Sequence, residues 1–310
     1  MHYRYDPEVF ASAAAADLAD LDVLYVVGGL YGNALALREV TRLFDQESGR
    51  KAMIFNGDFH WFDIDPDTFA QVHSNVLSFH AIRGNVETAL ADRTVLGDVD
   101  CGCAYPPWVD DAIVDRSNHI LGRLKRDLKP LVQLQLEALP MWRLADVAGF
   151  KVAVVHGDAT SLAGWGFAQE HLGDAEHRQA VLGWFEAAQV DAFASTHTCL
   201  PVFQAFANPQ GPNHRWVFNN GAAGMPNFQG NLAGHFTRLS HRTFTGGAAH
   251  LGIQTGRTLV DLVAIETDPV AAQAQFLRQW PAGSDAHQSY YDRLCAGPAY
   301  AAHQVIRGLT

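Results

Sequence analysis

Lys51-Ala-Met-Ile-Phe-Asn-Gly-Asp58 reads as a short buried strand, Met53 to Phe55, that ends in a glycine turn and presents one carboxylate. In an α/β sheet the chemistry sits just past the carboxyl ends of the strands, which is where Asp58 falls. Three later segments repeat the design of a β-rich run, a small or polar turn, and a side chain able to bind metal. They are His80-Ala-Ile-Arg-Gly-Asn85, Val152-Ala-Val-Val-His156 and Asp191-Ala-Phe-Ala-Ser-Thr-His197. Asp58, Asn85, His156 and His197 are therefore expected to converge above one sheet.

Outward from this stretch, strands alternate with helices. Val23 to Val27 is an apolar run of strand length, as expected for a strand buried on both faces. It leads through Gly28-Gly29-Leu30-Tyr31-Gly32-Asn33 into Ala34 to Phe44, whose apolar residues have helical spacing. An amphipathic helix is expected over Pro7 to Leu18. Asp65-Pro66 offers an N-cap and a first-turn proline for a helix through Val72. A third strand ends at Arg83, and Glu87 opens another helix. This rhythm predicts βαβ units and a partly parallel sheet. Asp98 to Trp108 reads as a loop containing Cys101-Gly-Cys103, followed by helix from Asp110 to Leu139 with a break near Pro130.

After Pro140 the chain turns β-rich. Trp142 to Val147 and Lys151 to Val155 form a hairpin, Ala175 to Gln189 a helix, and Asp191 to Ser195 a strand. Short strands follow at Val202 to Ala207, Arg215 to Asn219, His235 to Leu239 and Thr258 to Ile265. Asp268-Pro269 starts a helix, and His287 to Leu309 reads as two short helices. A single domain over 1–310 is expected, with 98–139 an inserted loop and helical region and 268–310 a helical tail.

The 310 residues are 48% hydrophobic and 18% charged, which suits one sizeable core. A formal charge of −11 disfavours a nucleic-acid backbone as partner, because that binding needs clustered cations. It leaves open a small phosphorylated substrate, since a bound metal supplies local positive charge. No apolar run approaches the roughly 20 residues that span a bilayer. Ala11 to Ala16 is too short and too acidic in its flanks for a signal peptide. A cytoplasmic location without membrane attachment is expected; the oligomeric state is open. Four cysteines, at 101, 103, 199 and 295, do not make a disulfide framework for a chain this long.

In chain order the polar motifs are Gly-Asn at 32–33, Gly-Asp at 57–58, Gly-Asn-Val-Glu at 84–87, His-Gly-Asp at 156–158 and Thr-His-Thr-Cys at 196–199. Their order and spacing over about residues 22 to 265 resemble the calcineurin-like metallophosphoesterases. That family's pattern is Asp-x-His-Gly-Asn, Gly-Asp, Gly-Asn-His-Asp/Glu, His-Gly and Gly-His-x-His. Asn219-Asn-Gly-Ala-Ala-Gly-Met-Pro226 also resembles its late Asn-Pro-Gly-Ser-x-Gly-x-Pro loop. The resemblance implies an α/β, four-layer sandwich of two mixed β-sheets flanked by helices. It also implies hydrolysis of phosphate mono- or diesters with divalent metals.

The chain departs from the pattern at consequential places. Gly29-Leu30-Tyr31 stands where the family has Asp-x-His, and Cys199 where it has its last His. Of the four ligands to one family metal, only the bridging Asp58 survives. The other metal's ligands are, by resemblance, Asp58, Asn85, His156 and His197, and all are present. One carboxylate, one amide oxygen and two imidazoles suit Mn, Fe, Co, Ni or Zn. Missing is the second ion of a two-metal clamp, in which ions ~3.5–4 Å apart hold the attacking and leaving oxygens together.

His60, Asp63 and Cys199 are the candidates to rebuild that half, with His60 also a proton donor to the leaving group. Tyr31, Arg83 and Asn33 are candidates to bind substrate phosphate. Val86 stands where relatives carry a catalytic histidine, so no general acid is expected there. Glu87 reads first as a helix first-turn carboxylate, and Cys101 and Cys103 as part of a loop near the mouth of the site. The functional expectation is a metal-dependent phosphoesterase with one metal site kept and one altered. The alternative is a catalytically degenerate binding protein on the same fold. A weaker third reading makes the glycines at 28, 29 and 32 a phosphate cradle for a nucleotide.

Overall fold

A computed structural model describes residues 3–12, 18–93, 100–247 and 249–309. Its strands are β1 (Leu18–Leu21), β2 (Val23–Val27), β3 (Lys51–Asn56), β4 (His80–Ile82), β5 (Trp142–Val147), β6 (Phe150–Val155) and β7 (Ala192–Ser195). There follow β8 (Pro201–Phe206), β9 (Arg215–Asn220), β10 (Gly234–Ser240), β11 (Ala249–Thr255), β12 (Thr258–Ile265) and β13 (Ile306–Arg307). They form two mixed sheets, ordered β11-β12-β10-β2-β3-β4 and β1-β5-β6-β7-β9-β8-β13. In the first, β2, β3 and β4 run parallel; in the second, β6, β7 and β9 do.

Side-chain alternation explains the layering. Leu24 and Val26 of β2, and Ala52 and Ile54 of β3, face inward against Val152 and Val154 of β6 and Trp216 and Phe218 of β9. The intervening Val23, Tyr25, Val27, Met53 and Phe55 face outward, under Leu37, Val40 and Leu43 of the helix Ala34–Asp45. On the far side Ala153, Val155, Phe193 and Val217 pack under Phe10 and under Val181 and Phe185 of the helix Ala175–Ala188. Strands with apolar residues on both faces belong between two layers, and each fully buried aliphatic or aromatic side chain contributes about 1.5–3 kcal/mol. The molecule is thus a four-layer sandwich of helices, sheet, sheet and helices.

Two sequence expectations change and one holds. The helix expected over Pro7 to Leu18 spans Glu8–Ser12, residues 13–17 lie outside the described residues, and Leu18 already begins β1. The C-terminal stretch holds one helix, Asp285–Ala296, then a 3-10 turn and β13, which adds an edge strand beside β8. The helical stretch after Asp110 is two helices, Asp111–Lys125 and Pro130–Glu137, separated at the expected proline. The loop expected from Asp98 is described only from Asp100 onward.

Candidate metal centre

Each candidate ligand leaves the carboxyl end of a parallel strand. Asp58 follows β3 through Gly57, Asn85 opens the helix Asn85–Ala91 after β4, and His156 and His197 follow β6 and β7. The parallel strands of the two sheets end on the same rim, so residues 139 positions apart become neighbours. Asp58, His156 and His197 place one potential ligand atom each within 4.8 Å of one another. His156 Nε2 lies 3.3 Å from Asp58 Oδ2, 3.0 Å from Asn85 Oδ1 and 3.2 Å from His197 Nδ1. Asp58 is 6% exposed, Asn85 2%, His156 0% and His197 7%, so the cluster is buried, with Asp58 and His197 at its accessible edge.

Neighbouring groups aim all four atoms. His156 Nδ1–H donates to the Asn56 carbonyl at 2.9 Å, which leaves Nε2 with a lone pair. His197 Nε2–H donates to the Cys103 carbonyl at 3.1 Å, which frees Nδ1. The Asn85 amide donates to the Cys101 carbonyl at 3.0 Å and turns its oxygen toward His156. Asp58 Oδ1 accepts from the Val86 N–H at 3.1 Å and leaves Oδ2 available. A carbonyl partner behind an imidazole is the usual support of a metal ligand, because it fixes both tautomer and ring orientation.

The donor set fits a cation. Atoms bound tetrahedrally to one ion at about 2.1 Å stand about 3.4 Å apart, close to the separations found here. A proton on His156 Nε2 would satisfy one of the three acceptors around it; a divalent ion would satisfy all four. The electrostatics are correspondingly strained. Burial depresses His197 to about 4, helped by the neighbouring His156 and opposed by Asp58. Burial would also depress His156, but the Asp58 carboxylate and the Asn56 carbonyl outweigh it and raise its pKa. Burial works against ionisation of Asp58, yet His156, His197 and the Val86 N–H together hold its carboxyl below the usual range.

The turn bearing Asp58 is held by Glu87. Its buried carboxylate accepts from the backbone N–H groups of Asp58 at 2.8 Å, Phe59 at 3.0 Å, His60 at 3.2 Å and Gly84 at 2.9 Å. Asp58 itself has φ +50°, an uncommon conformation for a residue with a side chain, and four bonds to one carboxylate stabilise it. Gly57 and Gly84 meet at the base of the turn. A Cβ at Gly57 would stand 2.6 Å from His156 Nδ1, and one at Gly84 would collide with Asp58 Oδ1.

The segment Cys101–Cys103, expected as part of a loop near the mouth of the site, bonds directly to the cluster. Cys101 and Cys103 are joined by a disulfide, and Cys199 and Cys295 are free. The carbonyls of Cys101 and Cys103 hold Asn85 and His197, while Trp165 Nε1–H also donates to the Cys103 carbonyl at 3.0 Å. These are main-chain contacts, for which the sequence carries no signal. Glu87 was visible as the third residue of a helix after Gly84-Asn85, the place from which an acid reaches back to backbone N–H groups.

The remaining candidates lie around this cluster or away from it. The Tyr31 hydroxyl and Cys199 thiol are hydrogen-bonded to each other at 2.7 Å. His60 is turned to other partners: Nδ1 meets Asp63 Oδ2 at 2.6 Å, Nε2 meets His73 Nδ1 at 3.2 Å, and its ring stacks on Phe69. Asp63 also accepts from the Trp61 N–H. Asn33 caps the helix Ala34–Asp45 by accepting from the Leu35 and Ala36 N–H groups, and donates to the Gly224 carbonyl. The Arg83 guanidinium lies over the Tyr3 ring and reaches toward the Glu137 carbonyl. The late loop crosses back to the glycine loop: Ala223 and Gly224 N–H groups donate to the Gly28 and Gly29 carbonyls. That pairing shapes Gly28 to Gly32 as structure beneath Tyr31.

Two facing mixed sheets between helices, with a rim of metal-capable residues, define the metallophosphoesterase fold. The chain is structurally similar to a metallophosphoesterase from Sphaerobacter thermophilus, with a TM-score of 0.57 and 18% identity over 89% of this chain and 100% of that one. It is also similar to the hypothetical protein PH1004 from Pyrococcus horikoshii OT3, with a TM-score of 0.58 and 14% identity over 90% and 99%. What is shared at these identities is the fold. No family sequence model matches the chain, and no curated protein matches it. Among the described residues, no helix is long and apolar enough to cross a membrane.

Proposed function

We propose that this protein is a divergent calcineurin-like metallophosphoesterase that holds one divalent ion on Asp58, Asn85, His156 and His197. The observation that carries this reading is the gathering of Asp58 Oδ2, Asn85 Oδ1 and His197 Nδ1 around His156 Nε2, each of the four side chains having its other polar atom already engaged. A divalent ion supplies Lewis acidity in such a site, polarising a phosphoryl oxygen and acidifying water. The residues of the chain do the rest. Asn56 and Cys103 hold the imidazoles as neutral ligands, Glu87 keeps the Asp58 carboxylate aimed, and the Cys101–Cys103 strap limits water. The substrate class is a small phosphate mono- or diester and the location the cytoplasm. No proton-transfer role falls to His60, whose ring nitrogens are both engaged.

One observation favours a second reading. Tyr31 and Cys199 bond to each other where a second metal's ligands would stand, and a two-metal hydrolase needs that space. On this reading the protein is a one-metal binding module. The test is metal content per chain after reconstitution with Mn or Zn, together with hydrolysis of p-nitrophenyl phosphate and its bis ester. One ion, with hydrolysis abolished in Asp58→Asn, supports the enzyme. One ion without hydrolysis of either ester supports the binding module, and no bound ion overturns both.

A further inference from the structure

A second concave site lies away from the metal rim, between the helices Pro66–Val76, Asp111–Lys125 and Pro130–Glu137. Its cavity measures about 220 Å³, and none of the four candidate ligands lines it. Ile64, Phe69, Leu124, Leu128 and Val132 make its walls apolar. A cavity of about 150 Å³ lined by aliphatic and aromatic groups holds benzene, so this one is large enough for a single ring or a short chain. One wall is rigid before any ligand arrives. Phe69 stacks on the His60 ring with centroids 3.8 Å apart, and His73 is fixed between His60 Nε2 and Gln135 Oε1. Rigid walls reduce the entropy lost on binding.

The charges at the cavity favour an anion. Arg123 and Lys129 line it, and among the described residues no carboxylate pairs with either. The Arg123 guanidinium lies 5.0 Å from the centre of the Trp280 ring, a contact that orients its donor fork without consuming it. Two carboxylates also line the cavity. Asp63 is occupied by the His60 ring and the Trp61 N–H, which leaves Asp127 to oppose two cations.

We propose that this cavity binds a small apolar anion, a single-ring or short-chain carboxylate whose tail lies against Phe69 and Val132 and whose head meets Arg123 and Lys129. Apolar walls with one or two convergent polar groups are the general form of a small-molecule site. A guanidinium fork recognises a carboxylate through two parallel hydrogen bonds. The site is independent of the metal centre and of whether the chain hydrolyses phosphate esters.

Calorimetric titration of the full chain with octanoate and with 1-octanol tests it. The expected result is one octanoate per chain with a dissociation constant in the range of about 0.1–1 mM. The neutral alcohol should bind at least about tenfold more weakly, and Ala70→Trp at the cavity mouth or Arg123→Glu should each weaken octanoate about tenfold or more. Both substituted positions are exposed, so the fold survives. Octanoate heat that never saturates overturns the site. Undiminished affinity in Ala70→Trp shows that the ligand sits elsewhere and does the same. Equal affinities for octanoate and octanol overturn the anion class.

Discussion

The free nitrogens of His156 and His197 face each other at 3.2 Å, although each ring has already given its other N–H to a backbone carbonyl. Two lone pairs directed at one another repel unless something positive lies between them. Asp58 Oδ2 and Asn85 Oδ1 add two more acceptors around His156. The arrangement is costly as a set of protein contacts and reasonable as a coordination shell.

Replacing Asp58 with Asn tests this directly. An amide oxygen at Oδ1 still accepts the Val86 N–H, so the turn keeps its support. The charge that draws a cation between two imidazoles disappears. Metal retained through gel filtration should fall from about one per chain to less than about a tenth, with the thermal midpoint little changed. Retention of a full equivalent of metal by the variant would exclude Asp58 as a ligand.

The convergence of Asp58, Asn85, His156 and His197 was legible in the sequence because each follows an apolar run of strand length, and parallel strands deliver their carboxyl ends to one rim. What the sequence hid is of two kinds. Cys101, Cys103 and Asn56 act through carbonyls, which every residue has, so no residue type announces them. Tyr31 and Cys199 meet across 168 positions, and His60 turns toward His73 although it sits two residues from Asp58. Side-chain direction within a loop depends on packing that no local pattern records. The edge strands β1 and β11 escaped because half-exposed residues blur the alternation.

Glu87 should matter more to stability than its place in a first helical turn suggests. Its carboxylate serves four backbone donors in a fully buried position. Glu87→Ala strands them, and a lost charged acceptor with unsatisfied buried donors costs about 3 kcal/mol or more. Glu87→Gln keeps an oxygen for part of the set and should lose less. Urea unfolding midpoints measure the difference; an Ala variant as stable as the parent would refute the clamp.

Acid sensitivity should arise partly from His235. Its ring is fully buried in β10, accepts from the Asn227 amide, and is pushed down to about 3 by burial and, next, by His250. The folded pKa lies below the unfolded value of about 6.5, so the unfolded chain binds the proton first. Stability is therefore unaffected above pH ~6.5 and falls as the pH drops from there toward ~3, by about 4 kcal/mol from this residue alone. His235→Asn should flatten that part of the stability curve, whatever it costs at neutral pH. Parallel curves for parent and variant between pH 7 and 4 would remove His235 as the cause.

The last prediction concerns the space that Tyr31 and Cys199 fill. The family resemblance puts Asp and His at positions 29 and 31 and His at 199, and each of these three residues has positive φ, between +54° and +63°. Asp and His are among the side chains that tolerate this region best, and Tyr31 and Cys199 already pay its strain. The atoms nearest to a Cβ at Gly29 would be those of the Tyr31 side chain, at 3.0–3.1 Å, and that side chain leaves in the same variant. The triple variant Gly29→Asp, Tyr31→His, Cys199→His should then bind a second ion. Metal content should rise from about one to about two equivalents per chain. If hydrolysis of p-nitrophenyl phosphate rises with it, the natural chain's Tyr31–Cys199 contact is what limits its catalysis. A folded triple variant that still binds one equivalent would mean that the second site was lost through the backbone of Gly28 to Gly32, not through the three side chains.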